Sequence, residues 1–475
     1  MSTASIPAGP AAPPRRTPWF RRRWLVALAI LVALPCSMAG LGLICLGTVA
    51  LRAEREAIAE ADRADPGWRL ADIEAARDVV PDAENAALVV LRAASLMGPG
   101  GPYAGLGRGA SADRRPAERY YRVYGLAPTA ALAPSTAAAY AHDLAPFDAA
   151  RAAARRLAGM RRGRYPAAPR GKSFWEWPPH LYIIRDVARL LDADATLAAE
   201  RGDGDAAILA CRAILGASAS LGDEPGVPAA QSRMETIEAA MHALERALGQ
   251  GTAGDASLDA LDADLAAADA VPSLRVALRG ERAEADARLE AQVATPPRQV
   301  ALYAPLARIW IRLGRASALS RATEAVAIAD LLGPEQIPRW DARTDTPATA
   351  RGLWATFIDT PSRPFALPPW NMAEVFLSTN AKLRAARVAV ALERYRLARG
   401  RWPADAGELA LPGGLPRDPL AAAPLKMVRE PRGWAVYSVG ANGLDQGGTF
   451  SQSKFPTVDV GLRINDPGRR RRAAP

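Results

Sequence analysis

WLVALAILVALPCSMAGLGLICLGTVAL, the stretch from Trp24 to Leu51, decides how the rest of the chain is read. It holds about 28 residues without one charge, where a bilayer-crossing helix needs roughly 20 apolar residues. Arg15, Arg16, Arg21, Arg22 and Arg23 precede it, whereas Arg52, Glu54, Arg55 and Glu56 after it mix signs. Positive charge stays on the cytoplasmic side, so the expected topology puts the N-terminus inside and the bulk of the chain outside. A cleaved signal peptide is the rival reading, with Ser37-Met38-Ala39 as its cleavage site. Such peptides have an apolar region of only about 7–15 residues. Here Gly40 to Leu46 continues apolar beyond the site, which favours an uncleaved anchor. Pro35 and the glycines at 40, 42 and 47 are tolerable in a helix that can tilt or kink in lipid.

On either side of this stretch the composition changes. Residues 1–23 begin with an Ala-, Pro- and Ser-rich tail, expected to be disordered in the cytoplasm. Outward, the 475-residue chain is long enough for more than one core. Its net charge is +10, but only four lysines occur and the arginines alternate with acids. Interspersed signs describe a solvated face, so nucleic acid is not an expected partner. Cys36 and Cys45 fall in the apolar stretch, leaving Cys211 alone. One thiol makes no internal disulfide, and Cys211 reads as a small buried hydrophobe.

Helical spacing dominates the middle. Residues 52–170 read as a helical stem and loops, broken first at Asp65-Pro66-Gly67. Residues 171–333 read as helical hairpins. Ile183, Val187, Leu190, Leu191 and Leu197 line one helix, Gly202-Asp203-Gly204-Asp205 turns the chain, and Ala206 to Leu221 returns. Met234, Ile237, Met241, Leu244 and Leu248 form the apolar face of the next helix, with Arg233, Glu235, Glu238, Glu245 and Arg246 on its other faces. Leu302 to Leu332 reads as helix split near Gly314, and residues 334–369 as a Pro-rich connection. Residues 370–460 combine a long helix to Arg399 with two short strands, and 461–475 read as a basic disordered tail. The fold class is therefore mainly α, with a transmembrane helix, a repeat-like exported domain and a small C-terminal α+β unit.

Two resemblances add to this. Leu197-Ala198-Ala199-Glu200-Arg201-Gly202-Asp203 followed by Ala206-Ala207-Ile208 resembles one tetratricopeptide-type hairpin. The order Tyr395, Gly400-Arg401-Trp402-Pro403, Leu415-Pro416, Asp418-Pro419, a hairpin, then Ser438-Val439-Gly440-Ala441-Asn442-Gly443-Leu444-Asp445 resembles the C-terminal part of type II secretion major pseudopilins. It covers about 75 residues, and lacks the Gly-Phe-x-x-x-Glu start of that family. The resemblance implies a calcium-binding loop, for which Asn442 and Asp445 are the candidate ligands. Asn442 replaces a carboxylate, and ligand charge governs calcium affinity, so the expected loop is closed by hydrogen bonds without calcium.

His142, His180 and His242 are scattered, and no Gly-x-Ser-x-Gly, Cys-x-x-Cys or His-Glu-x-x-His motif occurs. The expected function is binding or scaffolding in the bacterial envelope beside a secretion or pilus-like machine, with the lipid bilayer and an envelope protein as partners and no cofactor. The alternative is an extracytoplasmic hydrolase or carbohydrate-binding protein. It would use Trp175, Glu176, Trp177 and His180, which bunch stacking rings with an acid and an imidazole.

Overall fold

The computed structural model describes residues 19–98, 115–166, 177–298, 303–330, 371–421, 423–450 and 458–473. Thirteen helices of at least seven residues are found among them. Helix α1 runs unbroken from Trp19 to Ala64 and is long and apolar enough to cross a membrane. Its apolar half is exposed, whereas its second half is built into the body of the molecule.

The reason lies in its spacing. Gly40, Leu43, Gly47, Ala50, Glu54, Ala57 and Ala61, three and four apart, are the centre line of its covered side, which makes one continuous seam flanked by Leu51, Ala53 and Ile58. Helix α12 (Ala304–Asp330) lies along this seam, and α11 (Ser273–Ala294) lies along α12. Ile309 packs on Gly47 at the bottom, while Ala316 and Leu319 meet Ala57, Ala61 and Trp68 further up. Helix α12 shows no break at Gly314, which is buried within it. Packing between helices outweighs the roughly 1 kcal/mol cost of a helical glycine.

Of the remaining helices, the first lies against α11 and the others surround a second, larger core. They are α2 (Leu70–Ala76), α3 (Ala86–Met97), α4 (Arg115–Tyr124), α5 (Pro134–Leu144), α6 (Asp148–Arg155), α7 (Pro179–Glu200), α8 (Gly204–Ala219), α9 (Val227–Gln250), α10 (Asp255–Asp269) and α13 (Asn371–Arg399). Helices α7, α8 and α9 pack against each other pairwise. Asp203 caps α8 by accepting from the Ala206 N–H at 3.0 Å, and Asn85 caps α3 in the same way. Gly216 lets α8 press on the Leu157 backbone, where a side chain would find no room.

Strands β2 (Lys426–Glu430), β3 (Gly433–Ser438) and β4 (Val460–Asn465) make an antiparallel sheet with β3 central. This sheet does not form a core of its own. Trp434, Val436, Leu462 and Ile464 join the cluster that holds Leu383, Leu392, Leu248 and Leu191. The stretches 171–333 and 370–460, set apart in the sequence reading, thus contribute to one core.

The disordered tail expected from residue 461 is corrected by the structure. Strand β4 continues to Asn465, and Arg470 pairs with the fully buried Glu393 at 2.8 Å. Beyond it β5 (Arg472–Ala473) pairs in parallel with β1 (Ala130–Ala131). Charge suggested solvent there, but a buried carboxylate supplies the missing counter-ion. The Pro-rich connection 334–369 lies outside the described residues.

Candidate functional site

A cavity of about 270 Å³ opens where the first turns of α9 face α8, the end of α10 and the loop Met160–Gly163. Helix α9 presents Ala229, Ala230, Arg233 and Ile237 to it, residues that share one face at helical spacing. Alanines and glycines keep the space open. Leu215, Met160, Val271 and Val276 give it apolar walls.

Its charges are almost all matched. Asp223 accepts from Arg77 Nε at 3.1 Å and from the Asp78 N–H at 3.0 Å. Glu224 takes His180 Nε2 at 2.8 Å. Asp264 takes Arg212 Nε at 2.7 Å and Arg161 at 3.4 Å. Arg162 lies 3.6 Å from Asp78. Arg233 is the exception. It is 7% exposed, and its hydrogen bond among the described residues goes to the Gly222 carbonyl. Burial pulls its pKa down to about 10, against the opposing fields of Glu224 and Asp223. It therefore stays charged at neutral pH, with no carboxylate among the described residues in contact with it.

Sequence reasoning put Arg233 and Arg246 off the apolar face of their helix, and both are buried. The usable signal was local: Arg233 has Ala229 and Ile237 one turn to either side, so it interrupts an apolar row.

Of the aromatic-cluster residues, Trp175 and Glu176 lie outside the described residues. Trp177 is partly buried against the main core, its ring 6.1 Å from Tyr182. His180 is stacked on Tyr165 at 4.4 Å, and its Nε2 is committed to Glu224. The structure thus ties His180 to the wall of the cavity.

A second polar cluster brings Asp192 to His242 Nδ1 at 2.7 Å and to the Tyr120 hydroxyl at 3.0 Å. Acid–base catalysis would require a free second nitrogen, but Nε2 donates to the Tyr124 carbonyl at 3.0 Å. Burial lowers the His242 pKa, and Asp192 with the Tyr124 carbonyl more than restores it, so the net shift is upward. An imidazolium donating from both nitrogens fits this site as an internal strut. Cys211 is buried nearby, its thiol donating to the Ala240 carbonyl and pushed up in pKa by burial.

In the C-terminal loop, Asn442 accepts from the Leu444 N–H at 2.9 Å. Asp445 receives Lys426 Nζ at 2.6 Å, the Gly447 N–H at 2.9 Å and the Tyr437 hydroxyl at 3.1 Å. The ammonium of Lys426 holds the Asp445 carboxyl below its ordinary range. Sequence reasoning passed over Asp459, 1% exposed, which accepts from the N–H groups of Gln446 and Gly448. These two bonds close the loop onto the residue that precedes β4. Comparison with family models, with curated proteins and with solved structures finds no match for this chain.

Proposed function

We propose that the chain is a single-pass protein of the bacterial cytoplasmic membrane that holds a helical binding and scaffolding body outside it. One observation carries this reading: α1 passes from its apolar half into the body without a joint. Glu54, 4% exposed, pairs with Arg312 and with Arg315 at 2.9 Å, and Arg315 reaches Asp286 at 2.7 Å. Asp65 pairs with Arg279 at 2.7 Å and with Arg282, whose guanidinium lies over the Trp68 ring at 5.3 Å. Buried pairs of this kind fix geometry more than they add stability. A body mounted in this way cannot swing freely on its anchor, which suits a platform that must present a surface at a set height.

The association with a secretion or pilus-like machine rests on the C-terminal resemblance to pseudopilins, and the repeat character of the middle on the tetratricopeptide-like hairpin.

The test is topological. Alkaline phosphatase appended after Pro475 should be active, a cytoplasm-dependent fluorescent reporter there should be dark, and the protein should stay with membranes in high salt. A bright fluorescent fusion overturns the orientation. Release by salt, or a mature chain beginning near Gly40, overturns the anchor.

A further inference from the structure

We propose that the cavity at the start of α9 is a binding site for a small monocarboxylate with an apolar tail, its carboxylate held by Arg233. The inference goes beyond the anchored-platform reading and does not depend on it.

Three features of the cavity converge on that ligand class. The first is the unmatched cation. Each carboxylate of the wall has a basic partner, whereas Arg233, buried from bulk water, has a backbone carbonyl alone among the described residues. A guanidinium fork matches a planar carboxylate, which can accept two parallel N–H bonds. The second is the sign and size of the surrounding field. Asp223 and Glu224 stand near enough to Arg233 to act on it electrostatically. One negative charge completes the balance, and a second, as on a phosphate, would face those two acids. The third is the wall itself. Beyond Arg233 and the paired charges already described, the apolar part of the lining is Ile237, Leu215, Met160, Val271 and Val276, and about 270 Å³ takes a short aliphatic or aromatic acid but no nucleotide. The carboxylate supplies orientation and the apolar tail supplies burial.

Hexanoate is the probe, titrated against the full chain in lipid nanodiscs with empty discs as the blank. Hexanol and inorganic phosphate are the comparison ligands. Saturable hexanoate binding is expected with Kd about 1 mM or tighter, and weaker binding of both others. Arg233→Gln should weaken hexanoate by at least about tenfold and leave hexanol unchanged, the size of a charge-assisted hydrogen bond. Ala267→Leu fills the cavity from α10 with Arg233 intact, and should weaken hexanoate and hexanol together. That second variant keeps the test decisive should Arg233→Gln not fold. Equal binding of hexanol and hexanoate, tighter binding of phosphate, or no saturable hexanoate binding up to ~10 mM would each overturn the proposal.

Discussion

Glu281 stands on the inner side of α11, 6% exposed, near the Val227 backbone and with Glu284 one turn away. Burial first, and then the charge of Glu284, pushes its carboxyl up to about 7. Because the folded value lies above the unfolded one of about 4.3, its share of stability is complete below that pH. It is lost as pH rises toward 7. His242 acts in the same direction at higher pH, since its folded value is raised above about 6.5. The thermal midpoint should therefore fall between pH 5 and pH 8. Glu281→Gln keeps the shape of the side chain and removes the charge, so it should stabilise by about 2 kcal/mol at pH 8 and far less at pH 5. Melting curves of both proteins at the two pH values check this, and parallel pH slopes would refute it. Such sites are poorly legible in sequence. Glu281 looks like an ordinary solvated charge, because what buries it comes from elements distant in the chain, and for Arg233 the apolar row that it interrupts is the one local hint. Cys211 was legible because its neighbours are small and apolar.

At the scale of the element, the apolar stretch and its break at Asp65-Pro66-Gly67 were readable, as were the helices on either side of Gly202. The seam along α1 was not. Its partner α12 lies about 250 residues away, and Gly40, Gly47, Ala50, Ala57 and Ala61 carry no amphipathic signal. The seam also accounts for the length of the apolar run. Some 28 residues exceed a span by about eight, close to 12 Å of helix. The start of α12 lies beside that surplus, with Tyr303 67% and Leu306 47% exposed. On the anchored reading, these two side chains sit at the lipid surface, where aromatic residues favour the boundary between headgroups and tails. A nitroxide at Leu306, in a variant lacking the three native cysteines, should be relaxed more by oxygen than by a water-soluble nickel complex. One at Ser320, about 21 Å further along α12, should show the opposite order. Equal behaviour at both positions would place the start of α12 in water.

The whole molecule is tied together by ion pairs of very unequal weight. Arg394 bonds Asp255 and Asp259 at the surface, each at 2.7 Å. Exposed pairs contribute between zero and about 1 kcal/mol, so Arg394→Ala should barely move the melting point. Arg470 instead meets Glu393, fully buried, with its carboxyl held low against burial by Arg396 and Arg470 together. Removing one partner of such a pair leaves a buried charge, at a cost of about 3 kcal/mol. Arg470→Ala should lower the melting point by several degrees, read against Arg394→Ala in the same buffer. The composition of the last residues concealed this role, since a run of arginines reads as solvated until its buried acid is located. The parallel pairing of β1 with β5 has a consequence in time. Ala130 waits for Arg472, about 340 residues later. At roughly 5–20 residues per second of synthesis, that is a delay of tens of seconds. Through that interval the Thr129 and Gly249 carbonyls lack the N–H groups of Arg472 and Arg471 that they finally accept. The fold closes only when its last strand emerges, so a chaperone has a defined, late-closing edge to guard.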